Sequence, residues 1–482
     1  MARYETLSGG RGGQIFFRPK RRNADARPGE DLLEVTLSGQ PVRINDYSLS
    51  GISVIDPSSR FDWQGQIGRV AELSIRLTED TLFAGNVRLV RTQELSGVSL
   101  IGCAFEGDMP DLSAIAIQQA QAHLERMTTR TPSLVSAQVP MAYRALCSDV
   151  LQLLNWHRQQ VETFHRQFDD EAEEEALETA CQVIEQPVLE EWRQLWQRGE
   201  DIVRGLQPDS AAFDATKRYT EQVLTPAFMG GPIWERSFSK PLDYPGDFEV
   251  MKMVYDWARK GATPTDRMVH RIGLEVAECI ATRMVLVQQA IAATIAEHGN
   301  AGPARITSLG CGPAKEVENV LSASRMSGSA VFTLIDQDLD ALDDTFTRLT
   351  PKVRRLSPHV QLELLHESFL RVVRGGMAGQ SIKGQHLIYT VGLVDYLSAS
   401  MARSMVFRLY KKLAPGGLLI VGNMADSKLS NFWPMEFIAD WRVKYRSREE
   451  MTDMAVLCPN ASVEVRREQT GRVWMLYVRK PA

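Results

Sequence analysis

A turn with two glycines joins an apolar segment to a polar one at residues 306–316, whose sequence is ITSLGCGPAKE. A second apolar run, FTLID, follows and ends at Asp336. Glycine at positions 310 and 312 allows a tight turn and lets a ligand approach the backbone closely, because glycine has no Cβ atom. An acidic residue at the end of the second strand is where doubly wound sheets bind ribose hydroxyls. The pattern therefore predicts a ligand that contains ribose.

The charge of this turn narrows the choice of ligand. The spacing departs from the full G-x-G-x-x-G of dinucleotide sites, and Glu316 lies where it would repel a pyrophosphate. Both features favour a ligand with a positive charge. The segment resembles motif I and the acidic loop of class I S-adenosylmethionine (SAM) methyltransferases, and this resemblance implies that Asp336 binds the ribose. It implies that the residues around the methionine part of SAM are Leu309, Gly310, Gly312 and Glu316.

Two later strand ends extend the resemblance to class I methyltransferases. The loop after the third strand of that fold contacts adenine, and the end of the fourth strand faces the transferred methyl group. The further cofactor-binding candidates at these two positions are Glu367, Ser368, Phe369, Thr390 and Gly392. The catalytic candidates are Tyr389, Asp395 and His366.

The chemistry of methyl transfer bears on the acceptor. Displacement at a sulfonium has a neutral leaving group, so catalysis depends mainly on holding the two reactants in line. An alcohol acceptor needs a general base, whereas a carboxylate does not. The sequence has no clear His/Asp base pair, which favours a carboxylate or another small acceptor. His366 and Asp395 remain the alternatives for a base.

The segments that carry these residues alternate between strand and helix from residue 303 to residue 480. Apolar runs predict strands at 306–309, 331–335, 361–365, 386–390 and 417–422. Helices fit between them at 317–324, 341–349 and 401–413. This series predicts a doubly wound parallel α/β sheet of the Rossmann-like class. Two extended runs, 462–467 and 472–479, form a closing antiparallel hairpin that also resembles the class I methyltransferase fold.

Two other regions precede this α/β region. Apolar residues recur at helical spacing in the segments 146–168, 176–196 and 268–296. Short strands separated by turn residues fill the region from about 30 to 108 and predict a small antiparallel β-barrel, followed by a helix at 111–126. We expect three domains, which are a barrel with its trailing helix at 1–127, a helical region at 137–300 and a methyltransferase domain at 301–482.

Two short motifs in the N-terminal region could bind an anionic nucleotide. The run RPKRR at 18–22 is strongly basic, and the run DYSLSG at 46–51 has the form D-x-S-x-x-G. Arginine pairs with phosphate and stacks on guanine, and a carboxylate accepts from guanine N–H donors. Together with the run LIGCAF at 100–105, these motifs resemble the PilZ domain, a receptor for cyclic di-GMP. The contact residues that the resemblance implies are Arg18, Arg21, Arg22, Asp46, Ser48 and Gly51, with Arg27 competing for one arginine role.

A third resemblance concerns the methyl acceptor. The run RSFSKPLDYPGDFE at 236–249 and the run MEFIADW at 435–441 resemble segments of bacterial methyltransferases of the 3-hydroxypalmitate methyl ester (extracellular factor) type. The resemblance implies that the helical region is a lid or substrate platform. Its implied substrate residues are Tyr244, Asp247, Trp441 and Arg446, with the arginine pairing a carboxylate.

The composition indicates the cellular compartment of the protein and the classes of partner that it does not favour. The formal net charge of −5 gives no argument for nucleic-acid binding, and no apolar run in the sequence approaches the roughly 20 residues of a membrane span. The six cysteines lie far apart without a C-x-x-C pair, and the eight histidines show no metal-binding spacing. We therefore expect a cytoplasmic protein with reduced thiols, no metal site and no transmembrane segment.

The sequence thus favours a cyclic di-GMP-responsive, SAM-dependent methyltransferase that acts on a small-molecule or lipid carboxylate or hydroxyl acceptor. The alternative is a cyclic di-GMP-binding signalling adaptor whose methyltransferase-like domain binds a protein partner instead of catalysing a reaction. A protein carboxylate, as in chemotaxis receptor methylation, is a third acceptor that no tethering signal in the sequence supports.

Overall fold

A computed structural model of the 482-residue chain divides into two compact units, residues 9–134 and residues 135–482 together with an N-terminal strand. The structure describes residues 2–3, 22–23, 33–48, 51–56, 61–77, 80–95, 98–107, 110–111, 114–115, 117–118, 121–122, 138–165, 173–208, 210–242, 244–323, 328–356, 358–368, 371 and 382–482.

The strands are β1 (Ala2–Arg3), β2 (Arg22–Asn23), β3 (Leu33–Leu37), β4 (Gln40–Ser48), β5 (Gly51–Asp56), β6 (Val70–Leu77), β7 (Asp80–Leu95), β8 (Val98–Glu106), β9 (Ala304–Leu309), β10 (Ala330–Asp336), β11 (Val360–His366), β12 (Gln385–Thr390), β13 (Leu413–Met424), β14 (Ser462–Arg467) and β15 (Val473–Arg479). The α-helices are α1 (Met141–His165), α2 (Glu173–Arg204), α3 (Ala211–Val223), α4 (Thr225–Phe228), α5 (Pro232–Ser239), α6 (Phe248–Asp256), α7 (Pro264–His298), α8 (Lys315–Ser322), α9 (Leu339–Leu356), α10 (Ala399–Lys411) and α11 (Arg448–Asp453).

The N-terminal unit is a closed six-stranded antiparallel barrel. Its strands follow the order β4-β3-β6-β7-β8-β5, and pairing of β5 with β4 closes the ring. Side chains alternate between the inside and the solvent, as in β6, where Leu73 and Ile75 are fully buried. The predicted barrel is therefore confirmed. The structure describes the predicted helix at 111–126 at only a few positions, so its extent stays a prediction.

A mixed β-sheet organises the second unit. The order is β11-β10-β9-β12-β13-β15-β14. The first five strands are parallel, β15 is antiparallel to both of its neighbours, and β1 pairs with β11 at the edge. The sequence predicted each of these strands except β1. The reversal of strand order at β9 and the closing hairpin are consistent with a methyltransferase fold. In such a sheet the carboxyl ends of β9, β10 and β12 meet at one edge.

The longest helix, α7, packs against the strands that form this edge. By length and composition it is the one helix in the described part of the chain that could span a membrane, a property that the sequence reading did not find. Within the fold, Ile272 and Ile291 of α7 lie in the same hydrophobic core as Ile306 of β9. The helix also carries a buried ion pair, Arg271–Glu275. These are the features of a core helix.

Buried polar contacts attach the helical region to the loop after β13. That loop contains a π-helix, Trp433–Ile438. The Glu200 carboxylate of α2 accepts a bond from the Trp433 backbone N–H at 2.8 Å, and Lys217 of α3 pairs with Glu436 at 2.9 Å. Residues 135–482 therefore pack as one unit, and the predicted boundary between residues 300 and 301 stays a prediction.

Gly199→Ala is expected to destabilise the second unit by about 1–3 kcal/mol. A Cβ atom at Gly199 would lie 2.3 Å from the buried Trp433 ring, so α2 would have to move away from the π-helix. The matched control is Gly302→Ala, where a Cβ would meet no atom within 4 Å. Urea unfolding of the two variants measures the difference. Equal stabilities would show that the α2–Trp433 contact is not tight.

Candidate functional site

A cavity of about 330 Å³ opens at the carboxyl edge of the parallel strands. Residues that follow β9, β10, β11 and β12 form its floor. Helices α6 and α7 and the loop after the π-helix form its walls, including Met251, Ile280 and Val443. All of these elements belong to the second unit, and the cavity combines an apolar wall with charged groups on the floor.

The glycine turn after β9 faces open space. Gly310 and Gly312 have positive φ angles of 71° and 49°, which glycine adopts without strain. A Cβ atom built at either position would meet no atom within 4 Å, so the backbone presents a bare surface to the cavity. The Gly310 N–H donates to the Ile335 carbonyl at 2.9 Å, which fixes the turn against β10. Such a surface can hold a ligand against the main chain.

Asp336 is held in place by backbone donors on both sides. Its Oδ2 accepts from the Gly312 N–H at 2.8 Å, and its Oδ1 accepts from the Asp338 N–H at 3.0 Å. Burial raises the pKa of Asp336, and these two hydrogen bonds partly oppose that rise. Each carboxylate oxygen keeps a further lone pair, so the group can accept from hydroxyl donors such as those of a ribose.

Glu316 and Tyr389 form a buried pair on the floor of the cavity. The Tyr389 hydroxyl donates to Oε1 of Glu316 at 2.7 Å, and both side chains are more than nine-tenths buried. Burial raises the pKa of both groups. Within the described ranges Glu316 has no salt bridge, so a cationic ligand would compensate its charge.

Asp395, in the loop after β12, also lines the cavity. Its Oδ1 accepts from the Met424 N–H at 2.7 Å, which ties the loop after β12 to β13. Burial raises the pKa of Asp395, and the charge of Arg283 partly opposes this effect. The Trp441 indole N–H donates to the Tyr396 hydroxyl at 2.8 Å next to this group.

The cavity collects most of the residues that the sequence predicted for cofactor and catalysis. The predicted residues that line it are Leu309, Gly310, Gly312, Glu316, Asp336, Glu367, Tyr389, Gly392, Asp395, Tyr244 and Trp441. Those placed outside its lining are His366, Ser368, Thr390, Asp247 and Arg446. Phe369 lies outside the described residues.

Two of the predicted substrate residues have structural partners instead. Asp247 caps α6 through the Val250 N–H and forms an ion pair with Arg236 at 2.8 Å. The Arg446 guanidinium donates to the carbonyls of Val394 and Leu397 and to the Asn423 side chain, so it fastens the loop after β12 to β13. The structure therefore does not bring the predicted carboxylate-binding Arg446 to the cavity.

His366 also lies away from the chemistry predicted for it. Its Nε2 is 3.0 Å from the Gln337 carbonyl oxygen, and the ring is outside the cavity lining. Of the two bases considered from the sequence, only Asp395 faces the cavity.

Sequence reasoning missed the contribution of α6 and α7 to the cavity. The residues involved include Tyr255 of α6 and Arg283 of α7. Arg283 lies within the apolar segment 268–296, and a cation on the buried side of a core helix is a signal that could have identified it. Tyr255 has no comparable signal, because its position depends on how α6 packs.

In the N-terminal unit, backbone pairing places Arg22, the one described residue of the basic run, beside the second predicted dinucleotide motif. Arg22 pairs with Tyr47 and Asn23 pairs with Asp46, which sets the end of the basic run beside the D-x-S-x-x-G segment. Ser48 pairs with Gly51 across the β4–β5 turn. A Cβ at Gly51 would lie 2.2 Å from the Cys103 carbonyl oxygen, so the barrel itself requires glycine there. Arg18, Arg21 and Arg27 lie outside the described residues.

Comparison with known proteins gives matches among solved structures only. No family model matches the chain, and no curated protein matches it. A possible exported protein from Bordetella parapertussis is 14% identical with a TM-score of 0.41, over 61% of this chain and 96% of that one. The CurJ carbon methyltransferase is 12% identical with a TM-score of 0.38, over 74% and 99% of the two chains.

Magnesium protoporphyrin IX methyltransferase from Synechocystis PCC 6803 is 10% identical with a TM-score of 0.30, over 42% of this chain and 83% of that one. All three scores are below 0.5. The description of the fold therefore rests on the strand order and directions given above.

Glu316→Gln is expected to stabilise the protein at about pH 8, with little effect at about pH 4. Because burial raises the pKa of Glu316 above its ordinary value of 4.5, its ionisation in the folded state costs free energy. That cost is absent below the unfolded-state pKa and grows as the pH rises through the folded-state pKa. Urea unfolding across this pH range measures the difference between the two proteins.

Glu318→Gln, on the same helix, is the control, and we expect it to change the stability in the opposite direction. Although desolvation acts against it, the charges of Arg348 and Lys315 lower the pKa of Glu318. This carboxylate therefore stabilises the fold at neutral pH, and its contribution is lost as the pH falls through the lowered folded-state pKa. A Glu316→Gln variant that is less stable than the parent at high pH would contradict the assignment of a strained buried carboxylate.

Proposed function

We propose that the chain is a SAM-dependent methyltransferase that acts on a small-molecule or lipid acceptor with a carboxylate or hydroxyl group. The observation that carries this proposal is the glycine turn at 310–312, which has open space before it, joined through a hydrogen bond to the buried Asp336. A ligand on this surface would have main-chain contacts on one side and a fixed hydroxyl acceptor on the other. These requirements match an adenosyl group attached to an amino acid.

The residues of the floor fit the charges of SAM. When bound, SAM supplies a methyl group activated by a sulfonium. Glu316 is a buried carboxylate without a described salt bridge, and a cationic ligand would relieve its desolvation cost. Asp336 offers lone pairs to the ribose, and Glu367 lies beside it at the end of β11. We propose that Gly310, Gly312, Glu316 and Asp336 form the principal SAM contacts.

The acceptor side of the cavity consists of Asp395, Tyr396, Trp441 and nearby apolar side chains. A hydroxyl acceptor would need Asp395 as its base, and the raised pKa of that group brings it closer to the pH at which a base is effective. A carboxylate acceptor would need only positioning. The acceptor is therefore proposed as a class, and Tyr389, which donates to Glu316, is proposed as a positioning residue.

We further propose that the N-terminal barrel binds cyclic di-GMP. We also propose that the protein is cytoplasmic, does not bind nucleic acid and does not span a membrane. The pairing of β2 with β4 supports a dinucleotide site, because it sets Arg22, the last residue of the basic run, beside the D-x-S-x-x-G segment. Cyclic di-GMP would regulate methyl transfer, or the binding of a protein partner in the adaptor alternative.

Asp336→Ala is expected to weaken SAM binding by roughly 10- to 150-fold, the loss that corresponds to hydrogen bonds with a charged group. Isothermal titration calorimetry with SAM measures the change, and Asp336→Asn tests it without removing the side chain. Asp214→Ala, an exposed acid of α3, is the matched control and should bind SAM as the parent does. Unchanged affinity in folded Asp336 variants would refute the site.

Asp46→Ala is expected to reduce cyclic di-GMP affinity by at least roughly 10-fold, because a guanine would lose an ionised hydrogen-bond acceptor. The affinity for SAM should stay unchanged. Calorimetry on the whole chain with each ligand tests this separation. Glu34→Ala, on the neighbouring strand β3, is the control. Absence of cyclic di-GMP binding by the parent protein would remove the dinucleotide proposal and leave the methyltransferase proposal intact.

Catalysis requires a separate assay. The purified protein is incubated with methyl-labelled SAM and a bacterial small-molecule and lipid extract, with and without cyclic di-GMP. Labelled product above that of the Asp336→Ala variant is the expected result. SAM binding without any labelled product would favour the adaptor over the enzyme.

A further inference from the structure

Arg283 is a buried cation that has no hydrogen-bond or ion-pair partner among the described residues. Only 6% of its surface is exposed, and its Nε atom is buried without a hydrogen bond. Across the described part of the chain, its guanidinium makes no hydrogen bond or salt bridge. Arginine does not lose its charge in proteins, so this burial is costly unless an anion is supplied.

The other buried arginines of the unit show what a structural arginine looks like here. Arg271, three turns earlier on α7, contacts the carboxylates of Glu185 and Glu275. Arg446 donates to three acceptors in its loop. Arg283 differs from both because no described residue around it accepts a hydrogen bond from its guanidinium.

The charge of Arg283 is directed at the acceptor side of the cavity. Its Nη2 atom lies 3.1 Å from the position that a Cβ would occupy on Gly392, so the missing side chain at 392 leaves the guanidinium room. Burial raises the pKa of Asp395, and the charge of Arg283 opposes part of that rise, although the two groups form no salt bridge. Both neighbours line the cavity with Arg283, and they follow β12.

The surroundings of Arg283 select the kind of anion. The same cavity contains the carboxylates of Glu316, Asp336 and Asp395, which would repel a doubly charged phosphate. A single planar carboxylate matches the two parallel donors of a guanidinium. Ile280 and Met424 add apolar surface beside it. Resting on the proposed function, we propose that Arg283 is the carboxylate-binding residue of this cavity.

Two ligands of a methyltransferase could supply this carboxylate, namely the amino-acid end of SAM and the acceptor. The two sources predict different binding results. S-adenosylhomocysteine has an amino-acid end with a carboxylate. 5′-Methylthioadenosine is an adenosine thioether with a methyl group in place of that amino-acid end. Decanoate and decanamide form a similar pair for an acceptor, because they differ in charge at the same length.

The test compares the parent with Arg283→Met, which keeps the length of the side chain and removes its charge. Arg267→Met on the same helix is the control, because Arg267 pairs with Glu174 outside the cavity. Calorimetry gives the affinities for S-adenosylhomocysteine and 5′-methylthioadenosine, and then for decanoate and decanamide with S-adenosylhomocysteine at saturation. We expect a loss of roughly 10- to 150-fold for one carboxylate ligand in Arg283→Met and no change for its uncharged counterpart.

A loss confined to S-adenosylhomocysteine assigns Arg283 to the amino-acid end of SAM, and a loss confined to decanoate assigns it to the acceptor. Unchanged affinity for both carboxylates overturns the proposal. The melting temperature of ligand-free Arg283→Met provides a second readout, and we expect it to equal or exceed that of the parent because an unpaired buried charge is removed. A clear decrease would indicate a structural arginine and also overturn the proposal.

These results are distinguishable from a failure of the proposed function. If the parent binds neither adenosine compound, the methyltransferase proposal fails, while decanoate against decanamide in the absence of nucleoside still tests Arg283. Arg283→Lys adds a graded variant that keeps the charge and loses the two parallel donors, so its affinity should lie between those of the parent and Arg283→Met.

Discussion

At the carboxyl edge of a parallel sheet, the polar groups at the ends of several strands all need hydrogen-bond partners. In this protein these groups surround a cavity. Asp336 at the end of β10 takes both of its described hydrogen bonds from backbone N–H groups, one of them in the glycine turn after β9. That single carboxylate therefore fixes the turn, the strand end and the following loop relative to one another. The backbone surface at Gly310 and Gly312 is open, because a Cβ atom at either position would meet no atom within 4 Å.

Three further charged groups of the cavity are buried and form no salt bridge with the described residues. Glu316 bonds to the neutral Tyr389, and Asp395 bonds to the Met424 backbone N–H. Arg283 faces them from α7. Burial without pairing costs free energy, and such sites are common where a ligand completes the charge balance. The cavity is in this sense complementary to a ligand that carries both positive and negative groups.

The helical region makes this arrangement possible by covering the sheet edge. Contacts of Glu200 with the Trp433 N–H and of Lys217 with Glu436 hold the π-helix against α2 and α3. The loop that follows brings Trp441 to the cavity, where its indole bonds to Tyr396. Because the sheet edge alone would be open to water, these walls give the charges on the floor a low-dielectric environment and raise the pKa values of the carboxyl groups.

Local patterns in the sequence were sufficient for most of the strands and for part of the site. Apolar runs with glycine turns predicted β9 to β15 and the barrel strands, because side-chain periodicity and turn chemistry are local properties. The same locality identified Gly310, Gly312 and Asp336, which lie at strand ends whose position in a doubly wound sheet is known in advance. Tertiary structure alone decided which polar residues reach the cavity. Arg446 and Asp247 had suitable chemistry, but Arg446 bonds to the loop after β12 and Asp247 bonds to α5 and α6. Arg283 forms no such bond with the described residues. The choice of partner depends on tertiary packing, which the local sequence pattern does not determine.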